Sequence, residues 1–149
     1  MTTPLDPSKK LPYAHRGRYQ QLNADDESLW DLFITRNPTE YDFCWYDVPL
    51  GDIPPDLTTT QPAWLERHIR QTYSKRADVL ALKGTRLDVI ELKPLAGYVA
   101  LGQVIVYTQL VEKALPAGYQ ISGRIITDHA DPDIIPIAAQ HNIQVTEIT

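Results

Sequence analysis

The sequence predicts an α/β domain of the α+β type, in which helices pack on a mixed sheet. One observation is a β-hairpin between Ala77 and Lys93, where two runs rich in Val, Ile and Leu flank a short turn. A second is the alternation of helix-like and strand-like segments along the rest of the chain. A third is the length of 149 residues, which suits one domain with its own core.

The first 22 residues differ from the rest of the chain. They contain three prolines and show no amphipathic period, so we expect a basic, extended N-terminal arm over residues 1–22 and the domain over residues 23–149. The arm either docks on nucleic acid or a partner, or is a solvated tail. Its basic residues are Lys9, Lys10, Arg16 and Arg18.

The first helix and first strand follow the arm. Asp25 or Asp26 is expected to cap a helix that ends near Arg36, because Asn37-Pro38 stops it. The aromatic-rich segment Tyr41–Val48 is expected to form a strand.

A loop and a second helix then lead to the hairpin. Residues 49–62 contain four prolines and three consecutive threonines, which is typical of a loop. A helix is expected from Pro62 or Ala63, and its Trp64 is interpreted as a core residue, like the other two tryptophans, rather than as a base-stacking platform.

The hairpin turn sets the strand register. Gly84 at the first central position of a two-residue loop fits a type II′ turn. That turn pairs Lys83 with Arg86 and, five steps further, Asp78 with Glu91. Two carboxylates are then opposite each other on adjacent strands, about 4.5–5.5 Å apart at Cβ.

Three charged side chains therefore converge on one patch. Like charges in this arrangement are destabilising unless something compensates them, and Lys93 shares a strand face with Glu91. Asp78, Glu91 and Lys93 are the minimum constellation for a divalent cation plus a nucleophilic water. The alternative is a solvated salt-bridge cluster at the strand ends.

Two helices and two strands complete the chain. Gly97–Ala114 is expected to be a helix that is buried on more than one side, because it is almost wholly apolar. Tyr119–Asp128 is expected to be a strand, Asp131-Pro132 the start of a helix that ends at His141-Asn142, and Ile143–Ile148 the last strand.

In this order, the residues resemble the PD-(D/E)xK nuclease superfamily. Asp78, then Glu91-Leu92-Lys93 at the end of the next strand, then a helix with Gln103 and Tyr107, match its motifs over residues 26–128, roughly two-thirds of the chain. The resemblance implies a restriction-endonuclease-like core, αβββαβ, here followed by an additional C-terminal helix and strand. The small size also resembles phage-encoded members.

The resemblance implies an Mg²⁺-dependent endo- or exodeoxyribonuclease, with Mn²⁺ as a substitute cofactor. Asp78 and Glu91 would coordinate the metal, with the Leu92 carbonyl as a further oxygen, and Lys93 would position or activate the attacking water. Gln103 would be a further catalytic residue. An additional acidic ligand near the first helix or strand would be Glu27, Asp31 or Glu40.

Three residues are expected to contact the DNA substrate: Arg76, Lys75 and Tyr107. For Arg76 the alternative is an ordinary ion pair with Glu91. For Gln103 and Tyr107 the alternative is a polar pair that lines a buried helix.

Bulk properties narrow the class. The net charge of −5 argues mildly against a non-specific nucleic-acid binder, although metal-binding carboxylates contribute to it. The single cysteine, Cys44, excludes an intramolecular disulfide. We expect no signal peptide, no membrane span and a cytoplasmic protein, in the host cytoplasm or virion if phage-encoded.

Two other functions stay open. One is a structural or interaction protein, for example a viral assembly component, on a catalytically inactive nuclease fold. The other is a nuclease that acts only with a protein assembly partner. A homodimer is also expected if the protein cuts both strands of DNA, because two cuts need two sites.

Overall fold

A computed structural model of the chain describes residues 3–19 and 22–148. Six strands form one sheet in the order β1-β2-β3-β4-β6-β8, and two short strands, β5 and β7, form a second. The mixed sheet with helices confirms the predicted fold class. The strands are β1 (Leu11–Pro12), β2 (Phe43–Pro49), β3 (Arg76–Lys83), β4 (Arg86–Leu92), β5 (Leu95–Ala96), β6 (Gln120–Thr127), β7 (His129–Ala130) and β8 (Ile143–Glu147), and the helices are α1 (Ala24–Arg36), α2 (Ala63–Tyr73), α3 (Tyr98–Ala114) and α4 (Ile134–Gln140).

The sheet changes direction at β4. Strands β1 to β4 pair antiparallel with their neighbours, whereas β4 pairs parallel with β6 and β6 pairs parallel with β8. Parallel neighbours need a crossover, which α3 and α4 supply. Nearly all of β4 is buried, which is typical of a central strand that is covered on both faces.

The hairpin has the predicted register. Lys83 pairs with Arg86, and the pairing continues to the step before Asp78 and Glu91, which the same register places opposite each other. Gly84 has a φ of +62°, as the first central residue of a type II′ turn requires.

Close packing fixes α3 on the sheet. Gly123 of β6 lies under α3, and a Cβ added there would be 2.4 Å from Val104 Cγ1 and 2.9 Å from Ile143 Cγ1. A hydrogen atom at this position is therefore what lets the helix and the two strands meet.

The cap of the first helix differs from the prediction. Asn23 is the N-cap, and its side chain accepts a hydrogen bond from the Asp26 amide at 2.8 Å. The prediction of Asp25 or Asp26 as the cap was wrong, because both lie in the first turn. Acidic residues are favourable there as well, since they face the positive end of the helix dipole.

The last helix also starts later than predicted. It begins at Ile134 with Asp133 at the cap position, so the expected start at Asp131-Pro132 was wrong. The Asp131 side chain instead accepts a hydrogen bond from the Asp133 amide at 3.0 Å, which forms a turn ahead of the helix.

Most of the expected N-terminal arm lies on the domain. Within residues 3–19, β1 pairs with β2, and Tyr13 and Tyr19 are buried. The Trp45 indole donates to the Asp6 carbonyl at 2.9 Å. The aromatic side chains therefore anchor a segment whose proline content suggests an extended chain. Residues 1, 2, 20 and 21 lie outside the described residues; Lys9, Lys10, Arg16 and Arg18 are exposed.

Two predictions of burial were wrong. On α3, Tyr98 is 80% exposed and Val99 is 59% exposed, because the sheet covers only one side of this helix. Trp64 is 62% exposed, although the other two tryptophans are buried.

Cys44 lies in the core and is fully buried. Burial raises the pKa of its thiol to about 12. No helix within the described residues combines the length and apolarity that crossing a membrane would take.

Candidate active site

Two strand ends bring the predicted charged residues together. Asp78 is the third residue of β3, and Glu91 is the last but one of β4, where only 5% of it is exposed. Lys93 follows directly, with its amide bonded to the Ile126 carbonyl at 3.0 Å. Its positive charge acts on both carboxyls and opposes the rise in their pKa, so all three side chains belong to one cluster.

Burial dominates the electrostatics of this cluster. It raises the pKa of Asp78 to about 6, although the Leu92 amide donates to Asp78 Oδ2 at 2.9 Å and opposes the shift. Burial and the negative charge of Asp78 together raise the pKa of Glu91 to about 9. Both causes favour the protonated form of the Glu91 carboxyl when no cation is bound.

Two buried oxygens in this region have no partner within the described residues. They are Glu91 Oε2 and Gln103 Oε1. A buried acceptor without a partner costs about 1–3 kcal/mol, and a bound ion or water would remove that cost. Carboxylate and amide oxygens are ligands that Mg²⁺ prefers, and this donor set fits such an ion.

The carboxylates form a pair rather than a preformed cage. No group of three or more His, Cys, Asp or Glu side chains in residues 3–19 and 22–148 is arranged to hold a metal ion. A magnesium ion is commonly held by one or two carboxylates, with water and substrate phosphate as the remaining ligands. The pair is therefore sufficient for Mg²⁺ but leaves part of the coordination to the substrate.

Helix α3 brings Gln103 and Tyr107 to the carboxylates. The two residues are four apart and so share one helix face. Tyr107 packs in the core against residues of β3 and β4. Burial raises the Tyr107 pKa, and the charges of Glu91 and Asp78 raise it further, which places this hydroxyl beside the pair.

Asp26, in the first turn of α1, is a site residue that sequence reasoning missed. Its negative charge adds to the rise in the pKa of both Asp78 and Glu91. Burial raises the pKa of Asp26 itself, and the positive charge of Lys93 opposes that rise. The helical period contains a signal for it. Asp26 is four residues before Trp30, on the buried stripe of α1, so its side chain turns toward the sheet.

The acidic residues predicted as an additional metal ligand form hydrogen bonds or ion pairs with other residues. Glu27 accepts a hydrogen bond from the Tyr19 amide at 3.3 Å, and Asp31 is bonded to the Tyr19 hydroxyl. Glu40 forms ion pairs with Arg86 and Arg124 at 3.1 and 3.3 Å.

The side chains of Arg76 and Lys75 lie outside the cluster. The Arg76 guanidinium binds both carboxylate oxygens of Asp47, at 2.7 and 3.0 Å, so the ion pair with Glu91 is not formed. Asp47 has a φ of +50°, a strained value for a residue other than glycine. The Lys75 ammonium lies 5.1 Å from the centre of the Tyr73 ring.

A solved structure shares this fold, and a second one is similar. A repair endonuclease from Pyrococcus abyssi matches with a TM-score of 0.50 at 13% identity over 89% of this chain and 49% of its own. A complex of EndoMS with dsDNA matches with a TM-score of 0.49 at 15% identity over 89% and 48%. The chain spans about half the length of these structures, and the first match supports a restriction-endonuclease-like fold. No protein-family model and no curated protein matches the chain.

Proposed function

We propose that this protein is a metal-dependent nuclease that hydrolyses DNA phosphodiester bonds. The observation that carries the proposal is the pair of the half-buried Asp78 and the buried Glu91, in which one Glu91 carboxylate oxygen has no partner, beside Lys93. Two carboxylates that are opposite each other and largely withdrawn from water repel each other at a cost to the fold, and a divalent cation would offset that cost. The fold that the chain shares with a repair endonuclease is compatible with this chemistry.

The carboxylates of Asp78 and Glu91 would hold Mg²⁺, or Mn²⁺ as a substitute, with the Leu92 carbonyl as a further oxygen. Asp26 faces the same pair and extends the negative charge of the site. When bound, the cation would lower the pKa of a water molecule and stabilise charge on the phosphate.

The remaining residues act on water and substrate. The exposed Lys93 ammonium would orient the attacking water and stabilise the charge that develops on the phosphate. Gln103 would use its unpartnered Oε1 to position that water, and Tyr107 would contact the substrate. Arg76, held by Asp47 and 41% exposed at its side chain, would bind a phosphate together with Lys75.

A cleavage assay tests the proposal. Supercoiled, linear, single-stranded and branched DNA are each incubated with Mg²⁺, Mn²⁺ or EDTA. We expect cleavage that EDTA abolishes and that Lys93→Ala and Glu91→Ala reduce by at least about 100-fold. Lys83→Ala is the matched control, since Lys83 lies at the opposite end of β3 and pairs with Asp42 at 3.2 Å. Undiminished cleavage by Lys93→Ala would refute the assignment.

The alternative function is that of an interaction protein, and an exposed apolar surface on α3 favours it. Tyr98, Val99 and Val106 lie along the outward side of α3 and are 80%, 59% and 45% exposed, with Leu95, 73% exposed, just before them. This surface is also where we propose that a homodimer or an assembly partner would dock. Self-association that Val99→Lys abolishes, in a protein that cuts no DNA, would favour this function.

A further inference from the structure

Helix α2 carries an outward stripe that the core does not explain. Ile69 is its only buried residue. Trp64, Arg67, His68 and Gln71 are all exposed, and their spacing of three, four and seven residues places them on one side of the helix. We call these four residues the α2 stripe.

The aromatic residue of the stripe is unusually accessible. Trp64 is 62% exposed, and the His68 ring lies edge-on to it with the ring centres 6.2 Å apart. A large apolar side chain that stays exposed to water contributes little burial free energy to the fold. An indole beside an imidazole on a helix surface instead suits stacking with a planar ligand.

The charge around the stripe is opposite to that of the whole chain. The protein has a net charge of −5, yet residues 63–76 contain four basic residues and one acidic residue. Among the described residues, Arg67, Arg70 and Lys75 take part in no ion pair. This local excess of positive charge favours an anionic polymer as the occupant.

The stripe is also close to the candidate active site along the chain. Helix α2 ends at Tyr73, five residues before Asp78, and β3 begins between them. At 1.5 Å per residue, Trp64 lies about 14 Å along the helix from Tyr73. The stripe therefore directly precedes, in sequence, the strand that carries Asp78.

We propose that the α2 stripe binds unpaired DNA, with Trp64 stacking on a base and Arg67 contacting the phosphate backbone. The bases of an intact duplex stack on one another and leave no face for an indole, whereas single strands are bound by aromatic residues within a basic surface. The inference rests on the proposed nuclease function and names its substrate class: DNA with a single-stranded segment.

Binding without cleavage is the appropriate test. The Lys93→Ala variant in EDTA is titrated into fluorescein-labelled oligo-dT and into a labelled duplex of equal length, and anisotropy is recorded. Adding Trp64→Ala is expected to weaken oligo-dT binding about 5- to 100-fold, whereas Trp64→Phe retains most of the affinity. Duplex binding changes less than twofold. Tyr119→Ala, which removes an exposed aromatic residue just before β6, is the control and leaves both affinities unchanged.

Several outcomes would overturn the proposal. They are absence of oligo-dT binding, an unchanged affinity of Trp64→Ala, or an equal loss for oligo-dT and duplex, which would indicate charge without stacking. Binding to anionic vesicles that needs Trp64, without oligo-dT binding, would assign the stripe to a membrane surface. Circular dichroism establishes that each variant is folded.

The test is separable from the nuclease assignment. Trp64-dependent binding by a protein that never cleaves DNA would support the α2 stripe and refute the nuclease. Metal-dependent cleavage with no effect of Trp64 on binding would do the reverse.

Discussion

Glu91 holds a proton at neutral pH that an exposed glutamate would have lost, because burial and the Asp78 charge raise its pKa from 4.5 to about 9. The folded state therefore binds a proton that the unfolded chain releases between these values. The stability from this group is complete below pH 4.5 and is lost as the pH rises through about 9.

Replacing the carboxyl with an amide tests this linkage. We expect the free energy of unfolding of Glu91→Gln in EDTA to decline less with rising pH than that of wild type, by up to about 1.4 kcal/mol per pH unit. Urea unfolding at several pH values between 5 and 8 measures the two slopes. Glu112→Gln, an exposed change on α3, is the control, and parallel slopes for Glu91→Gln and wild type would contradict the shift.

A second residue-scale prediction concerns Gly123. A methyl group there would collide with Val104 and Ile143, so we expect Gly123→Ala to destabilise the protein by about 1–3 kcal/mol. Urea unfolding measures the loss, and adding Val104→Ala should recover part of it. Gly17→Ala, where a new Cβ meets nothing within 4 Å, is the control. Equal losses at the two glycines would show that packing is not the cause.

Sequence reasoning at this scale succeeds where the signal is local. The register that sets Asp78 opposite Glu91 follows from one turn around Gly84. The helical period puts Asp26 on the same stripe as Trp30, but what this stripe contacts, like the exposure of Trp64, is decided by tertiary packing. The packing of the elements decides which residues of α1 and β4 are neighbours, and it leaves α2 with few. The amino-acid composition does not reveal this packing.

At the scale of the element, α1 links a cap to the site. The Asn23 side chain holds the Asp26 amide, so Asn23→Ala should cost about 1 kcal/mol and loosen the turn that carries Asp26. Thermal unfolding measures the cost, and Asn23→Asp should retain most of the stability. Asp25→Ala, in the same turn but without a cap bond, is the control. An equal loss from Asp25→Ala would mean that helix electrostatics rather than the cap dominates.

The ends of helices and strands were predictable where proline or glycine marks them. Which side of each element is buried was not predictable. Pro38 ends α1 and Gly84 turns the hairpin, as expected. The apolar sequence of α3 predicts a helix that is buried on more than one side. One side nevertheless faces solvent, because the sheet covers only the other side of this helix. An apolar sequence alone therefore does not distinguish a fully buried helix from one with an exposed apolar side.

At the scale of the molecule, four elements meet at the site. They are the strands β3 and β4 of the sheet and the helices α1 and α3, which pack on its two faces. The cluster joins residues from Asp26 to Tyr107, so any ion held there ties distant segments together. An ion that binds the folded state alone stabilises it by mass action.

Mg²⁺ should therefore raise the melting temperature. At ten times its dissociation constant we expect a gain of about 1.4 kcal/mol, which is about 3–6 °C for a domain of this size. Differential scanning calorimetry in MgCl₂ and in NaCl of equal ionic strength measures the shift. Asp78→Asn should abolish the shift, and a shift that persists in this variant would place the ion elsewhere.

The buried thiol of Cys44 has a practical consequence for chemistry at Lys93. Because the only cysteine of the chain is enclosed and protonated, alkylating reagents leave the native fold untouched. A Lys93→Cys variant would thus carry a single accessible thiol. Bromoethylamine would rebuild a lysine analogue with sulfur in place of one methylene, whereas iodoacetamide would add a neutral amide of similar bulk. Recovery of DNA hydrolysis with the first reagent alone would identify the ammonium itself, rather than the shape of the side chain, as what the reaction requires.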